Sequence, residues 1–319
     1  MKLGLVFAGG GARGSYQIGA WKALKELGID KYVKGVSGTS IGALNAVMYL
    51  QGDIEIAEKV WLSISKDKIL PTGNIDLLKR GIFITLGNRN LNFVKKYLPT
   101  TLEQGNISRS GLIEIMNQYV DIEKIRLDKR SCYATCSTVP DLSPRYFKLN
   151  DYNDEDIKNI LLATSAIPMI YESKEVEEFK YLDGGMADNV PVQPLYGEGL
   201  DIIIIIHLSK DSLVNRYKFP RARIIEIYPR DMADGDLAEI LDFSSSGIRK
   251  RMKQGYIDTM YLLEPIIAIA NYQRDQLPKE TIIKAGLGIV EKSRGIFKKK
   301  TEEKSDIDED KDKISGQII

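Results

Sequence analysis

The segment GVSGTSIGALNAV, residues 35–47, constrains the fold of this 319-residue chain more than any other. The residues before its serine, including YVKGV, have the β-branched and aromatic character of a strand. Residues 41–50 after it are apolar nearly all round, interrupted only by Gly42 and Asn45, and Gly52 can end a helix there. Because a helix without a polar face belongs in a core, the sequence predicts a strand, a sharp turn at Ser40 and a buried helix.

Ser40 stands between Gly38 and Gly42, in the spacing G-x-S-x-G of a nucleophile elbow. Small residues at those positions let a strained turn pass close to neighbouring backbone and leave the hydroxyl projecting. The turn also lies at the positive end of the helix dipole, where developing negative charge is stabilised. A glycine- and serine-rich turn that merely connects the strand to the helix fits the same residues, so the rest of the chain must decide.

A run of glycines follows the first predicted strand, in AGGGARGS. Gly9, Gly11 and Gly14 occupy the three glycine positions of the dinucleotide-binding pattern G-x-G-x-x-G. That pattern needs a second strand that ends in an acidic residue about twenty positions on. Asp30 stands near that distance but precedes the next strand. A Walker-type phosphate loop is excluded, since no Lys-Ser or Lys-Thr pair follows the glycines.

The same glycines fit an oxyanion hole. Successive glycines at the start of a helix expose backbone N–H groups and form a nest that binds anions. Acyl transfer by an elbow serine requires such donors on a neighbouring strand. Because the two motifs explain each other, we prefer the oxyanion hole to the dinucleotide interpretation.

A serine nucleophile needs a general base, and Asp183 is the clearest candidate. It follows a short predicted strand, and Gly184 and Gly185 let the backbone turn sharply after it. An ordinary Asp-Gly turn accounts for the same residues. The single histidine, His207, gives the chain order Ser-Asp-His of a hydrolase triad. A histidine that ends an all-isoleucine strand is more often a hydrogen-bonded core residue, so the triad stays an alternative.

Three blocks of this chain resemble those of bacterial patatin-like phospholipases: GGGARGSYQIGAWKAL, GTSIGALNA and DGGMADNVPVQPL. They stand in the family's order, and the intervening ATSAIPMIY is also similar to the family pattern. The likeness covers residues 1 to about 210. It implies a three-layer α/β/α fold with a mostly parallel central sheet, and hydrolysis of lipid acyl esters without a metal or another cofactor.

The resemblance also implies roles for individual residues. Ser40 is the nucleophile and Asp183 the second member of a catalytic dyad. The block that forms the oxyanion hole contains Gly9, Gly10, Gly11 and Arg13. The expected enzyme is a serine hydrolase of the phospholipase A or lysophospholipase type. The alternatives are an esterase with a Ser-Asp-His triad and a non-catalytic module that binds lipid or nucleotide.

The order of predicted elements agrees with this fold. Strands are predicted near residues 3–8, 33–38, 131–138, 144–149, 179–182 and 202–207. Helices are predicted near residues 15–27, 41–50, 53–65, 110–119 and 154–163. Alternation of this kind builds a mostly parallel sheet that is covered on both faces. Gly9, Ser40 and Asp183 would then all emerge at the carboxyl ends of strands, where such folds bind their ligands.

We expect a catalytic domain over residues 1–210 and a helical or cap extension over 211–296, packed on the same domain. The lysine- and acid-rich residues 297–319 are predicted to be a disordered tail. Residues 66–109 are rich in glycine, asparagine and lysine, which fits either a lid or a plain surface excursion.

Residues 248–263 place apolar side chains along one stripe of a predicted helix, beside the basic residues Arg249, Lys250, Arg251 and Lys253. The pattern fits contact with an anionic membrane or, as the better interpretation, a surface helix that packs on the core. Gly255 weakens the helix prediction by about 1 kcal/mol.

Composition excludes several classes of function. A formal net charge of +1 gives no basis for binding nucleic acid. Two cysteines do not make a disulfide framework, and one histidine excludes a histidine-rich metal site. No secretory signal or transmembrane span is recognisable in the sequence. We therefore predict a cytoplasmic protein with a lipid substrate and at most peripheral membrane contact. The head group, the acyl chain and the oligomeric state are not predicted.

Overall fold

The fold is built on one eight-stranded sheet, seen in a computed structural model that describes residues 2–64, 107–210, 212–231 and 237–276. The strands are β1 (Leu3–Phe7), β2 (Val33–Thr39), β3 (Ser131–Thr138), β4 (Pro144–Lys148), β5 (Lys174–Val176), β6 (Phe179–Asp183), β7 (Ile202–Ile206) and β8 (Arg223–Ile227). Their order is β5-β6-β3-β2-β1-β7-β8, and β4 pairs with β3. The five strands from β3 to β8 in that order are parallel, so the prediction of a mostly parallel sheet is confirmed. Within the described ranges the antiparallel pairs are β3 with β4, β3 with β6 and β5 with β6.

The central strands are buried on both faces. In β1 the side chains of Leu5 and Phe7 join the larger core cluster, whereas Val6 joins a smaller one. The isoleucines of β7 alternate between the two clusters in the same way. Successive side chains of a strand point to opposite faces, so each cluster marks one face of the sheet. Because both faces of these parallel strands are buried, their sequences are nearly continuous apolar runs.

Helices pack on both faces of the sheet. They are α1 (Ser15–Glu26), α2 (Ile41–Gln51), α3 (Ile54–Ser63), α4 (Ser110–Tyr119), α5 (Ile122–Leu127), α6 (Asp154–Thr164), α7 (Gln193–Gly197), α8 (Leu237–Ile240) and α9 (Ser245–Gln276). The short α7 contributes Leu195 to the smaller cluster, and α1 contributes Ile18, Trp21 and Leu24 to the larger one. The result is the predicted mixed α/β architecture with helices flanking a central sheet. None of the helices in the described ranges is both long and apolar enough to cross a bilayer.

The chain divides into two compact units, residues 1–264 and 265–319. The second is described over 265–276, as the end of α9. Strand β8 lies beyond residue 210 and pairs in parallel with β7, so the sheet extends into the segment that we expected to be helical. The predicted tail, and residues 66–106 of the predicted lid segment, lie outside the described residues. The predicted domain boundaries stay predictions.

The apolar stripe predicted in residues 248–263 belongs to α9 and faces the core. Ile248 and Leu263 are buried in the larger cluster, and Met252 packs against it. Of the basic residues beside the stripe, Arg249, Lys250 and Lys253 are exposed, whereas Arg251 is 5% exposed and pairs with Asp242 at 3.1 Å. Of the two interpretations, the structure fits the helix that packs on the core, because its buried side chains are not available to a lipid surface.

Two glycines bring α9 into direct backbone contact with α1. A Cβ atom on Gly19 would lie 1.8 Å from the carbonyl oxygen of Met252, and one on Gly255 would lie 1.9 Å from that of Tyr16. Real Cβ atoms essentially never come closer than 3.0 Å to such an atom. Gly255 is therefore a packing residue, although in the sequence it is only a weak point of a predicted helix.

We expect Gly255→Ala to lower the free energy of unfolding by about 2–3 kcal/mol, even though alanine is the better helix former. The new methyl group would force α1 and α9 apart. Gly197→Ala is the matched control, since a Cβ atom there has no heavy atom within 4 Å. Its free energy of unfolding in urea should stay within about 0.5 kcal/mol of the wild-type value. Equal stability of both variants would contradict the close contact between the helices.

Candidate active site

Ser40 occupies the turn between β2 and α2 with a strained backbone. Its φ is 55° and its ψ is −128°, in a region that residues other than glycine rarely adopt. A Cβ atom on Gly42 would lie 2.2 Å from the carbonyl oxygen of Phe7, and one on Gly38 would lie 2.3 Å from that of Gly42. Both glycines are thus required by close backbone approach, and their part in a nucleophile elbow stays a prediction.

The structure brings Ser40 and Asp183 into hydrogen-bond contact. The Ser40 hydroxyl donates to Asp183 Oδ2 at 2.7 Å, and the Gly185 N–H donates to Oδ1 at 2.8 Å. Asp183 is the last residue of β6, and its own N–H donates to the carbonyl oxygen of Ala166 at 2.9 Å. Both carboxylate oxygens are therefore held, and one of them faces the serine.

Burial changes the acidity of Asp183. The side chain is 1% exposed, and this burial raises its pKa to about 7. The Gly185 N–H, the Ser40 hydroxyl and the positive charge of Arg109 act in the opposite direction. A general base is most effective when its pKa lies near the working pH, so this carboxylate is suited to accept a proton at neutral pH.

The turns that carry Ser40 and Asp183 are both tied to Thr135 of β3. The Ser40 N–H donates to Thr164 Oγ1 at 2.9 Å, and the Thr164 hydroxyl donates to the carbonyl oxygen of Thr135. A Cβ atom on Gly184 would lie 2.1 Å from that same carbonyl oxygen. Thr164 belongs to the ATSAIPMIY block, which thereby supports the backbone of the candidate nucleophile.

The glycine loop lies beside the serine. Gly10 and Gly11 line the same cavity as Ser40 and Asp183. Gly11 opens a short 3₁₀ helix with a φ of 57°, and the first N–H groups of a helix have no partner within it. The Gly9 N–H is already engaged, because it donates to the carbonyl oxygen of Asn189 at 3.2 Å.

Arg13 links the glycine loop to neighbouring elements of the fold. Its guanidinium is 3% exposed, donates to the carbonyl oxygen of Leu208 at 3.4 Å and pairs with Glu239 at 3.6 Å. Its backbone N–H donates to the carbonyl oxygen of Gly10 at 3.3 Å. These contacts tie the loop to α8 and to the residues after β7. A direct part of Arg13 in the oxyanion hole stays a prediction.

An apolar cavity extends from Ser40 and has an empty volume of about 1130 Å³, including its open mouth. Most of its wall is aliphatic or aromatic, which is typical of a site for a hydrophobic ligand. The wall includes Ile41, Leu44 and Met48 of α2, Val60 and Trp61 of α3, Leu112, Ile115 and Met116 of α4, and Ile240, Leu241 and Phe243. The geometry thus joins a serine–carboxylate pair to a space that accepts an alkyl chain.

Residues 5–196, more than half of the chain, match the family model described as "Patatin-like phospholipase". The chain belongs to the patatin-like phospholipase family. It is thus a member of a family of lipid ester hydrolases, as the three sequence blocks predicted.

Curated relatives of this patatin-like chain include proteins named "Lysophospholipase nte1" from Aspergillus terreus and Aspergillus niger. Each is 28% identical over 225 residues, which cover 65% of this chain and 12% of the relative. The chain therefore spans only about an eighth of the length of these relatives.

Solved structures with some likeness to this patatin-like chain include VipD from Legionella pneumophila. That alignment has a TM-score of 0.42 at 15% identity, over 83% of this chain and 66% of VipD. Human GIVD cytosolic phospholipase A2, in complex with methyl gamma-linolenyl fluorophosphonate, aligns with a TM-score of 0.41 at 10% identity, over 82% and 56%. Scores of this size carry no weight, so the family assignment rests on the family model.

A buried polar network braces the glycine loop of this patatin-like protein against α2. The Asn45 amide donates to the carbonyl oxygen of Gly14 at 2.9 Å and to Gln17 at 2.7 Å, and it accepts from the Trp61 indole at 3.0 Å. Gln17 in turn donates to the carbonyl oxygen of Ala8 at 2.8 Å. Asn45, which interrupts the apolar helix in the sequence, is thus a fully satisfied core residue.

Arg109 is a second residue near the site that the sequence did not reveal. It is 8% exposed, and its guanidinium donates at 2.6 Å to the carbonyl oxygens of both Leu162 and Glu172. It also lies over the ring of Tyr171, at 4.5 Å from the centroid. Burial lowers the Arg109 pKa to about 10, so the group stays charged and favours the ionised form of Asp183.

The structure places His207 in a different network from Ser40 and Asp183. The ring is fully buried, its Nε2 lies 3.0 Å from Glu226 Oε2, and it stacks on Tyr228 at 4.2 Å between centroids. Burial lowers the His207 pKa to about 4, against the opposing effect of Glu226. The imidazole is thus neutral at pH 7 and hydrogen-bonded in the core.

Proposed function

We propose that the chain is a serine lipid acyl hydrolase, of the phospholipase A or lysophospholipase type. The observation that carries the proposal is the 2.7 Å hydrogen bond from Ser40 Oγ to Asp183 Oδ2 at the head of an apolar cavity. Family membership supports the reaction class. The names of the Aspergillus relatives make a lysophospholipid the first substrate to test.

In the first step, Asp183 takes the proton of the Ser40 hydroxyl while Oγ attacks the ester carbonyl carbon. The carbonyl oxygen becomes an oxyanion, which the N–H groups of Gly10 and Gly11 stabilise. The tetrahedral intermediate then expels the alcohol portion of the lipid, and Asp183 returns the proton to that leaving oxygen. The acyl chain, now esterified to Ser40, lies along the apolar wall.

In the second step, Asp183 removes a proton from water, and the hydroxide attacks the acyl ester. The same N–H groups stabilise the second oxyanion. Collapse releases the fatty acid, and Asp183 returns its proton to Ser40 Oγ. A carboxylate is a weak base in water, so the dyad relies on the burial that raises the pKa of Asp183.

Two alternatives differ from this mechanism in identifiable ways. A Ser-Asp-His triad needs His207 to act on Ser40, whereas the imidazole is hydrogen-bonded to Glu226. A non-catalytic module that binds lipid or nucleotide needs no reactive serine. A cytoplasmic location with peripheral membrane contact remains part of the proposal.

Covalent labelling tests the proposed nucleophile. A long-chain alkyl fluorophosphonate should label the full chain once, at Ser40, because the phosphonyl group reacts with an activated serine while its alkyl chain occupies the cavity. Ser40→Ala should take up no label. Ser165→Ala is the matched control, since this second serine lines the same cavity and should leave labelling unchanged. Unlabelled wild-type protein that also fails to hydrolyse a soluble ester would favour the non-catalytic module.

A further inference from the structure

The segment that follows β7 exposes two large apolar side chains. Leu213 is 84% exposed and Tyr217 is 96% exposed, the two highest values for large apolar residues in the described ranges. Single exposed apolar residues are common on protein surfaces. The charge and the position of the segment therefore decide what this pair can bind.

The charge around these two residues is strongly positive. Between residues 207 and 223 the sequence contains one acidic residue, Asp211, and five basic ones: Lys210, Arg216, Lys218, Arg221 and Arg223. Arg216 and Lys218 flank Tyr217 directly, and both are exposed. Glu226 pairs with Arg216 and offsets one of these charges. The remaining excess fits an anionic surface.

The segment lies at the same edge of the sheet as Ser40. The ion pair places Arg216 beside Glu226, which is the last but one residue of β8. Ser40 directly follows β2, and three strand spacings separate β2 from β8 in the order β2-β1-β7-β8. At about 4.8 Å per spacing this amounts to about 14 Å along the carboxyl edge.

We propose that residues 212–218 dock the protein on the surface of an anionic phospholipid bilayer. Leu213 and Tyr217 enter the interface between head groups and acyl chains, while Lys210 and Lys218 contact lipid phosphates. Apolar anchors together with cations are what interfacial binding requires. The inference rests on the proposed function only in assigning a lipid substrate to the nearby site.

Vesicle flotation tests the docking surface with the full chain. The probe is vesicles of phosphatidylcholine mixed with phosphatidylglycerol, and pure phosphatidylcholine vesicles serve for comparison. Leu213→Ser with Tyr217→Ser should lower partitioning onto the mixed vesicles by about tenfold. Lys210→Gln with Lys218→Gln should lower it by about tenfold or more on the mixed vesicles and leave the weaker partitioning onto phosphatidylcholine unchanged.

Matched controls come from elsewhere on the surface. Leu127 is 74% exposed at the end of α5, just before β3 begins, and so lies at the opposite edge of the sheet. Leu127→Ser should change partitioning by less than about twofold, and so should Arg249→Gln with Lys250→Gln, which removes the same charge from α9. Wild-type partitioning by the Leu213/Tyr217 variant, or an equal loss in Leu127→Ser, would overturn the proposal. A concentration-dependent dimer that this variant abolishes, with unchanged partitioning, would also overturn it in favour of a protein interface.

Turnover of a short soluble ester separates this inference from the proposed function. All the surface variants should hydrolyse such an ester at the wild-type rate, because none of them alters the cavity. Absence of turnover in the wild-type protein would contradict the proposed function, while the vesicle measurement would still decide the docking surface.

Discussion

Ser40→Ala and Asp183→Asn should each abolish ester hydrolysis, lowering kcat by about 10⁴-fold or more, and the double variant should be no slower than the slower single variant. The Ser40 hydroxyl donates to Asp183 at 2.7 Å, and in the proposed mechanism the two residues act as one proton-transfer unit. When either residue is removed, the proton transfer from Ser40 to Asp183 is lost, so removing the other residue as well causes no further loss. Initial rates on a soluble ester and on a lysophospholipid measure the effect, and losses that add up in the double variant would contradict a single unit.

His207→Gln is the control for this experiment. Glutamine preserves an amide donor toward Glu226, so the variant can retain the hydrogen bond that His207 makes in the core. Its turnover should stay within about tenfold of wild type, since the imidazole lies outside the proposed proton path. A loss of about 10³-fold or more in a correctly folded His207→Gln protein would favour the Ser-Asp-His triad.

The pH dependence supplies an independent readout of the same unit. Asp183 must be ionised to act as a base, and burial raises its pKa to about 7. The value of kcat/KM for a soluble ester should therefore rise about tenfold per pH unit below 7 and level off above it. The neutral His207 should not contribute a step in this range, because its pKa is lowered to about 4.

Stability should change with pH in the opposite direction. The folded-state pKa of Asp183 lies above the unfolded value of 3.8, so the folded protein keeps a proton that the unfolded chain releases in this range. The contribution of this group to the free energy of unfolding is full below pH 3.8 and falls as the pH rises toward about 7. Asp183→Asn removes this dependence, so its stability relative to wild type should increase from pH 4 to pH 7 and then stay constant.

Local patterns were sufficient to predict much of the fold. The spacing of Gly38, Ser40 and Gly42 predicted a sharp turn after β2. Each glycine lies too close to other backbone atoms for a side chain to fit, and those atoms belong either to the next few residues or to the adjacent strand β1. The all-isoleucine run of β7 has the pattern of a strand that is buried on both faces. Helix α9 was predicted only over 248–263, the length of its apolar stripe. The structure begins it at Ser245, where the Ser244 hydroxyl oxygen accepts a capping hydrogen bond from the Gly247 N–H at 3.1 Å, and continues it through Pro265.

The supports of the site depend on long-range contacts and could not be predicted. Arg109 lies far along the chain from Asp183, and only the fold brings it against Leu162 of α6 and against Tyr171 and Glu172 in the segment after that helix. In the sequence Asn45 only interrupts an apolar helix. Its hydrogen-bond partner Trp61 belongs to another helix, so the contact that explains the asparagine appears only in the folded structure. Gly255 looked unfavourable because its contact with Tyr16 is 239 residues away in sequence. Propensity and periodicity describe neighbours along the chain, whereas these residues serve neighbours in space.

The glycine loop gives the second large prediction. Gly11→Ala should lower kcat on a soluble ester by about 10²–10³-fold with a smaller effect on KM, the size expected for a lost oxyanion donor. Gly11 has a φ of 57°, and a Cβ atom there would lie 2.6 Å from the carbonyl oxygen of Ile240. The backbone of Ile240 cannot move aside as the end of a flexible side chain can. The glycine loop must therefore shift, which moves the N–H groups of Gly10 and Gly11 away from the oxyanion.

Gly10→Ala separates loop displacement from the mere loss of a glycine. A Cβ atom on Gly10 would meet only side-chain atoms of Leu208, Cδ1 at 2.8 Å and Cβ at 3.0 Å. Rotation of Leu208 moves Cδ1 away, and a shift of a few tenths of an ångström relieves the contact with Cβ, which is less than Gly11→Ala demands of the backbone. Its loss in kcat should therefore be at least about tenfold smaller than that of Gly11→Ala. Fluorophosphonate labelling of Ser40 should slow in the same order, because the phosphonyl oxygen needs the same donors. A folded Gly11→Ala protein with wild-type turnover would mean that this loop does not bind the oxyanion, and tight, saturable binding of NAD by the wild-type chain would then favour the dinucleotide interpretation.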